Sequence, residues 1–113
     1  LVWIQNPPGC LSGRILVPGC GLGHDVRILA ETFPEAGITG IDISATALTE
    51  ARQFAVPENV TFCEWDLFAL PESVIGTFDW IWEHTCFCAI APKHREEYVE
   101  AAAAALRSWG RRH

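Results

Sequence analysis

Three glycines that alternate along one short segment, Gly19, Gly21 and Gly23, constrain this chain more than any other feature of its sequence. They follow the apolar run 14–18, which has turn-forming residues before and after it. They precede the segment 26–33, whose apolar residues recur at helical spacing. A strand, a glycine turn and a helix therefore follow one another within about twenty residues, which is how a βαβ unit begins.

The same alternation of strand and helix continues along the chain. Short strands are predicted over 37–41, 60–63 and 78–82, one helix is predicted from an N-cap at Ser44, and a last helix is predicted over 92–109. Strands that alternate with helices form a parallel sheet with helices on its faces. The predicted fold class is therefore α/β, with a doubly wound and mainly parallel sheet.

The two later helices each have a predicted apolar face. In the helix that begins at Ser44, this face consists of Leu48, Ala51 and Ala55. In the last helix, which Gly110 is expected to end, it consists of Tyr98, Ala102, Ala105, Leu106 and Trp109. Both faces are expected to pack against the sheet.

Size, charge and cysteine content narrow the class of protein. The chain has 113 residues, half of them hydrophobic and 19% charged, which is enough for a single domain over 1–113 with one core. A net charge of −6 argues against nucleic acid as a partner, because a phosphate backbone attracts clustered Lys and Arg. No segment resembles a signal peptide or a membrane span, and the five cysteines form no CxxC pair. We therefore expect a reduced, cytoplasmic protein with no metal site and no membrane partner.

The glycine turn and the acid after the second strand point to a ligand. Glycines in such a turn let a ligand approach the backbone, and the free N–H groups of a helix start favour a carboxylate or phosphate. Asp42 follows Gly23 by 19 residues and ends the second strand, where an acid reaches a ribose in doubly wound folds. Together they favour a ligand that contains adenosine. Structural roles stay open, since glycines can simply tighten the turn and Asp42 can help to begin the helix at Ser44.

The spacing of the third glycine separates two kinds of adenosine ligand. The nicotinamide dinucleotide fingerprint G-x-G-x-x-G would require a glycine at position 24, where the chain has His24. The spacing here is G-x-G-x-G, which is usual in enzymes that bind S-adenosylmethionine and cradle no pyrophosphate. A nicotinamide-dependent oxidoreductase would keep the fold but conflicts with His24.

The end of the third predicted strand offers a place for adenine. Asp66 is an acid flanked by large apolar residues, and Leu67 follows it directly. Adenine needs an acceptor for its exocyclic amine and an apolar contact for its face. Asp66 and Leu67 are therefore the candidate adenine contacts, with an ordinary loop acid as the alternative for Asp66.

Four strings carry a resemblance to a known family. They are VPGCGLGHD over 17–25, GIDIS over 40–44, WDLF over 65–68 and FDWIWEHTCFCAI over 78–90. Together they make the chain similar, from about Gly13 to Leu106, to the thiopurine S-methyltransferase family and especially to its thiol and halide methyltransferase branch. The resemblance implies the Rossmann-like fold of class I methyltransferases, with S-adenosyl-L-methionine as cofactor and a small thiol, thiopurine or halide as methyl acceptor.

The resemblance also implies roles for single residues. The three glycines would contact the methionine and ribose portion of the cofactor, Asp42 its ribose hydroxyls, and Asp66 with Leu67 its adenine. His84 stands where the branch often has an aromatic residue beside the cofactor, although a surface histidine without a ligand explains it equally well. Glu83 is expected to face the crevice at the end of the fourth strand, or to be a solvated acid.

Departures from the family leave a second class of function open. The family sheet has seven strands, whereas this chain ends after the helix that follows its fourth predicted strand, and it lacks most of the family's N-terminal segment. The S-adenosylmethionine-binding domain over 1–113 is therefore expected to be incomplete at both ends. Leu106 to Gly110 also stands where relatives usually have a Pro-Gly-Gly turn. The alternative is a catalytically silent cofactor-binding module that needs another segment to complete it. An exposed edge on the fourth strand would favour self-association. In either case no acid–base set is expected, and Cys20, Cys63, Cys86 and Cys88 are expected to be core residues rather than nucleophiles.

Overall fold

The computed structural model describes residues 2–5, 13–83 and 92–106. Its strands are β1 (Val2–Gln5), β2 (Gly13–Pro18), β3 (Ala36–Ile41), β4 (Val60–Cys63) and β5 (Trp80–Glu83). Its α-helices are α1 (His24–Thr32), α2 (Ala45–Ala51) and α3 (Arg95–Ala105), and two short 3-10 turns span Leu67–Ala69 and Pro92–His94.

The five strands form one sheet in the order β1-β5-β2-β3-β4. The four strands from β5 to β4 are parallel, and only β1 is antiparallel. From β2 the chain passes to β3 and β4 on one side and returns to β5 on the other, so the direction of strand order reverses at β2. This confirms the predicted α/β class, and ligands bind such sheets at the carboxyl ends of the strands where the order reverses.

Strand β1 was not predicted from the sequence. It pairs with β5, with Val2 opposite Glu83 and Gln5 opposite Trp80. A four-residue strand whose partner lies so far along the chain leaves no local periodic pattern from which it could be recognised. As a consequence β5, the fourth predicted strand, is an inner strand, and the predicted exposed edge there was wrong because β1 pairs with it. The edges of the sheet in the described part of the chain are β1 and β4.

Apolar side chains cover both faces of the sheet. On one face α1 and α2 pack over the layer that contains Ile15, Val26, Leu29, Ile38, Leu48, Phe62 and Trp80. On the other face α3 packs over the layer that contains Leu16, Ile41, Leu67, Phe78, Ile81, Tyr98 and Ala102. Neighbouring residues of β2 thus point to opposite layers, which is why the strand reads as a continuous apolar run. None of the described helices is long and apolar enough to cross a lipid bilayer.

The ends of two helices differ from the prediction. Helix α2 begins at the predicted N-cap, because the Ser44 hydroxyl accepts from the N–H of Ala47 at 3.1 Å. It ends at Ala51, however, where the chain tightens into shorter turns before Pro57, so Ala55 is exposed instead of packed inward.

Helix α3 also ends earlier than predicted. It ends at Ala105, where the Ala105 carbonyl accepts from the N–H of Phe78 at 3.1 Å. Leu106 then takes an extended conformation and forms a parallel bridge to Phe78, which draws the chain out of the helix and keeps Leu106 buried. The predicted helical positions Trp109 and Gly110 lie outside the described residues.

Candidate cofactor site

The glycine turn between β2 and α1 depends on backbone conformations that favour glycine. Gly19, Gly21 and Gly23 all have positive φ, at 62°, 54° and 80°. At Gly23 a Cβ atom would lie only 2.7 Å from the ring of Phe62, so a side chain is excluded there by space as well as by φ. At Gly21 nothing lies within 4 Å of the place a Cβ would occupy. The turn therefore leaves open space above Gly21, at the carboxyl end of β2.

Asp42 ties this turn to the end of β3. One carboxylate oxygen accepts from the N–H of Gly21 at 2.9 Å, and the other accepts from the N–H of Ser44, also at 2.9 Å. The structural role considered for Asp42 is thus present, because the residue helps to begin α2. A carboxylate has about four lone-pair positions, so these two bonds leave room for further donors such as hydroxyl groups.

Asp66 and Leu67 lie together after β4. An Asp66 carboxylate oxygen accepts from the N–H of Phe68 at 2.9 Å and so caps the 3-10 turn Leu67–Ala69, while the residue itself is exposed. Leu67 is buried in the apolar layer under α3. An exposed acid beside a fixed apolar contact is the combination that the adenine prediction requires.

A cavity of about 210 Å³ opens at the carboxyl ends of β2, β3 and β4. Four of the seven predicted site residues line it, namely Gly19, Asp42, Asp66 and Leu67. Gly21 and Gly23 lie in the adjoining turn, and Gly21 contacts the cavity wall through Asp42. His84 lies outside the described residues. The full lining is Pro18, Gly19, Ile41, Asp42, Ile43, Trp65, Asp66, Leu67, Phe68 and Tyr98.

Sequence reasoning missed several apolar residues of this cavity. Ile43 and Phe68 line it, although the two residues are 73% and 50% exposed. Tyr98 belongs to the packed face of α3, yet it reaches the cavity and meets the Phe68 ring edge-on at 6.2 Å between centroids. Ile43 could have been found, since it follows Asp42 directly. Tyr98 carries no such local signal.

The two described cysteines, Cys20 and Cys63, are half-buried thiols beside the site. Burial raises the pKa of Cys20 from its ordinary 9.0 to about 12, and the nearby carboxylate of Asp42 acts in the same direction. Burial also raises the pKa of Cys63. Cys20 packs against the layer under α1, and Cys63 against the layer under α3. Both thiols are therefore protonated near neutral pH, which argues against a role as nucleophiles. The other two cysteines of that prediction, Cys86 and Cys88, lie outside the described residues. In the described part of the chain, no group of three or more His, Cys, Asp or Glu side chains could hold a metal ion.

The family model that describes thiopurine S-methyltransferase matches residues 3–112. This chain belongs to the thiopurine S-methyltransferase family. The match runs through the glycine turn, Asp42 and Asp66, so the resemblance noted in the sequence is confirmed. As a member of this family, the chain shares its class of fold with the methyltransferases described next.

Two plant relatives of the family are similar over most of this chain. Thiocyanate methyltransferase 1 of Arabidopsis thaliana is 38% identical over 93 residues, which are 79% of this chain and 39% of the relative. Probable thiol methyltransferase 2 of the same organism is 34% identical over 103 residues, which are 88% of this chain and 44% of the relative. The chain spans about two fifths of the length of these curated relatives.

Solved structures support the fold. PKMT2 of Rickettsia typhi, solved in complex with AdoHcy, superposes with a TM-score of 0.75 and 27% identity over 93% of this chain and 21% of that one. The plantazolicin methyltransferase BpumL, solved with SAH and a substrate analog, gives a TM-score of 0.67 and 26% identity over 84% of this chain and 35% of that one. Both share the Rossmann-like fold of class I methyltransferases, so the predicted fold is confirmed.

Proposed function

We propose that this chain is the S-adenosyl-L-methionine-binding part of a methyltransferase that acts on a small thiol, thiopurine or halide. The observation that carries the proposal is the junction of the glycine turn with Asp42. Asp42, directly after β3, accepts a hydrogen bond from the N–H of Gly21 at 2.9 Å. The space that a side chain at Gly21 would occupy is open. Asp42 also lines the cavity that Asp66 and Leu67 line.

The residues present fit that cofactor. A bare backbone at Gly21 admits a ligand without steric conflict, and the remaining acceptor positions of Asp42 suit the two hydroxyls of a ribose. Asp66 would accept from the exocyclic amine of adenine, and Leu67 would contact its face. Exposed Ile43, adjacent to Asp42 in the lining, offers a second apolar surface for the ring. Burial of such a ring would cover apolar area that otherwise faces water.

The chemistry asks little of the protein beyond alignment. When bound, S-adenosylmethionine supplies a methyl group that its sulfonium already activates. The work of the chain is then to hold two reactants in line and to exclude water, which can contribute several kcal/mol or more to lowering a barrier. The apolar cavity wall, with Trp65, Phe68 and Tyr98, suits exclusion of water. Soft nucleophiles such as thiolate or halide need little assistance from a base, and this favours the proposed acceptors.

The relatives also support this class of acceptor. The two plant relatives described above are named for the methylation of thiocyanate and of thiols. Thiocyanate, thiolate and halide share a soft, polarisable nucleophile. An oxygen or nitrogen acceptor would more often need a general base to remove its proton.

An acceptor panel tests the proposal. The natural protein would be incubated with S-adenosylmethionine and, in separate reactions, iodide, thiocyanate, a small aryl thiol and a phenol, and production of S-adenosylhomocysteine would be measured. We expect turnover with at least one soft acceptor and none with the phenol. Turnover with the phenol alone would refute the acceptor class. Binding of cofactor without turnover of any acceptor would support a catalytically silent module instead.

A further inference from the structure

A hydrogen bond between α1 and β5 lies outside the cavity described above. Asp25 is the acidic residue in the first turn of α1, two residues after Gly23, and its side chain is half-buried. One of its carboxylate oxygens accepts from the indole N–H of Trp82 at 3.4 Å. Trp82 is part of β5 and packs against the apolar layer under α1. The bond therefore joins the start of α1 to the end of β5.

The register of the sheet shows where this pair stands relative to the glycine turn. Strands β2 and β5 are parallel neighbours, with Ile15 opposite Trp80 and Leu16 opposite Ile81. Trp82 lies two residues after Trp80, so along the strand direction it is near the point where β2 ends and the glycine turn begins. The cavity with Asp42 lies on the opposite side of β2, toward β3 and β4. A ligand that extended from this cavity across the turn toward β5 would pass the first turn of α1, to which Asp25 belongs.

The chemistry of the proposed cofactor decides what Asp25 would meet there. With its adenosine in the cavity, S-adenosylmethionine carries an amino acid at its other end, with one ammonium and one carboxylate group. A helix start favours the carboxylate through its free N–H groups, whereas the ammonium requires an anionic or carbonyl acceptor. Asp25 supplies a carboxylate at that place. Its bond from Trp82 orients the group, and a carboxylate can accept several hydrogen bonds at once.

We propose that Asp25 binds the amino group of the cofactor's methionine half and that Trp82 is a positioning residue that orients Asp25. This inference rests on the proposed function, since it presumes that S-adenosylmethionine occupies the site. It assigns a binding role to a residue outside the cavity and separates recognition of the amino acid from recognition of the adenosine.

Two ligands that differ only at the amino-acid end test the assignment. S-adenosylhomocysteine carries the ammonium group, and 5′-methylthioadenosine lacks the whole amino acid. Dissociation constants of both would be measured for the wild-type protein and for Asp25→Asn, which keeps the shape and an acceptor for Trp82 but removes the charge. We expect Asp25→Asn to weaken binding of S-adenosylhomocysteine by roughly tenfold to a hundredfold. The dissociation constant of 5′-methylthioadenosine should stay within about twofold of the wild-type value. Trp82→Phe should weaken only S-adenosylhomocysteine, by roughly threefold.

Matched variants separate the possible outcomes. Glu31→Gln removes an exposed acid from the other end of the same helix and should change neither constant. Equal weakening of both ligands by Asp25→Asn would mean that Asp25 only supports the fold, and this would overturn the assignment. The assignment would also be overturned if Glu83→Gln selectively weakened binding of S-adenosylhomocysteine and Asp25→Asn did not. If the wild-type protein binds neither ligand, the proposed function itself fails, and that result differs from every outcome above.

Discussion

At the scale of single residues, Asp42 does the most to join the fold to the site. Its two carboxylate oxygens accept one N–H from the glycine turn and one from the start of α2, at 2.9 Å each. The same side chain therefore shapes the backbone that faces the cavity and presents acceptors to a ligand. The structural role is present in the two hydrogen bonds, the proposed ribose-binding role would use the same side chain, and substitution tests both.

Asp42→Ala should weaken binding of S-adenosylhomocysteine by at least about tenfold, because the acceptors for the ribose hydroxyls and the anchor of Gly21 are both lost. It should also lower the free energy of unfolding by about 1–2 kcal/mol, since two backbone N–H groups lose a charged acceptor. Titration calorimetry and urea unfolding measure the two effects. Ser44→Ala is the matched control: it removes the N-cap of α2, costs about 1 kcal/mol of stability and leaves affinity unchanged. Wild-type affinity in Asp42→Ala would disprove the ribose assignment.

Cys20 should be a very slow nucleophile despite its place in the turn. Because its pKa is raised from 9.0 to about 12, its thiolate fraction at pH 8 is about a thousandfold below that of an ordinary thiol. We expect iodoacetamide to label the Cys20 peptide far more slowly in the folded protein than in urea, as followed by mass spectrometry. Equal labelling rates in the two states would show that the thiol is neither buried nor suppressed by Asp42.

At the scale of elements, the glycines of the turn between β2 and α1 differ in the space that surrounds them. Gly23 has the Phe62 ring where its Cβ would be, whereas Gly21 has open space. Both have positive φ, so both carry backbone strain when substituted. Packing therefore requires glycine at position 23, whereas the space above Gly21 is open to a ligand.

This difference predicts that alanine at position 23 mainly lowers stability, whereas alanine at position 21 mainly weakens ligand binding. Gly23→Ala should lower the free energy of unfolding by about 2–3 kcal/mol, from strain plus collision with Phe62. Gly21→Ala should cost only about 1 kcal/mol of stability, yet it should weaken S-adenosylhomocysteine more than the stability loss explains, because the methyl group enters the ligand's space. Thermal unfolding and titration of both variants test the pair. If Gly21→Ala binds the ligand as wild type does, the turn does not cradle it.

The edge strand β4 is protected by one side chain. The carbonyls of Asn59 and Cys63 bond to β3, so by alternation the carbonyl of Phe62 faces outward. The Arg52 guanidinium donates to that carbonyl at 2.8 Å. Because an unpaired strand edge invites pairing with another chain, Arg52→Ala should raise self-association, measurable as an increase in mean mass with concentration by sedimentation. Arg27→Ala, on α1 outside the strand ladder, is the comparison variant. A sedimentation profile identical to wild type would argue against an edge role for Arg52.

Features of the elements that depend on neighbouring residues could be predicted from the sequence. The turn spacing, the Ser44 N-cap and the parallel strands β2 to β5 all leave local patterns, and the structure contains them. Features that depend on distant contacts could not. Strand β1 exists through its pairing with β5, and α3 ends where Leu106 meets Phe78. Likewise Tyr98 reaches the cavity only because α3 packs beside the 3-10 turn of Leu67.

At the scale of the whole molecule, the sheet separates two apolar layers. The candidate cofactor-binding residues lie together at the carboxyl ends of its parallel strands. The glycine turn, Asp42 and Asp66 come from three different strand ends, yet the parallel register sets them side by side. The adenosine half of the cofactor would lie over β3 and β4, and the methionine half over β2 and β5 near Asp25. Family membership agrees with this arrangement.

The most direct test of the central claim is isothermal titration of the purified, folded protein with S-adenosylhomocysteine, beside a matched titration with NADH. Circular dichroism and a cooperative thermal transition would first establish that the protein is folded. We predict saturable binding of S-adenosylhomocysteine at one site per chain and no binding of NADH, because position 24 is a histidine where a dinucleotide turn needs glycine. Binding of NADH alone, or no binding of S-adenosylhomocysteine by the folded protein, would contradict the assignment of the glycine turn and Asp42 as an S-adenosylmethionine site.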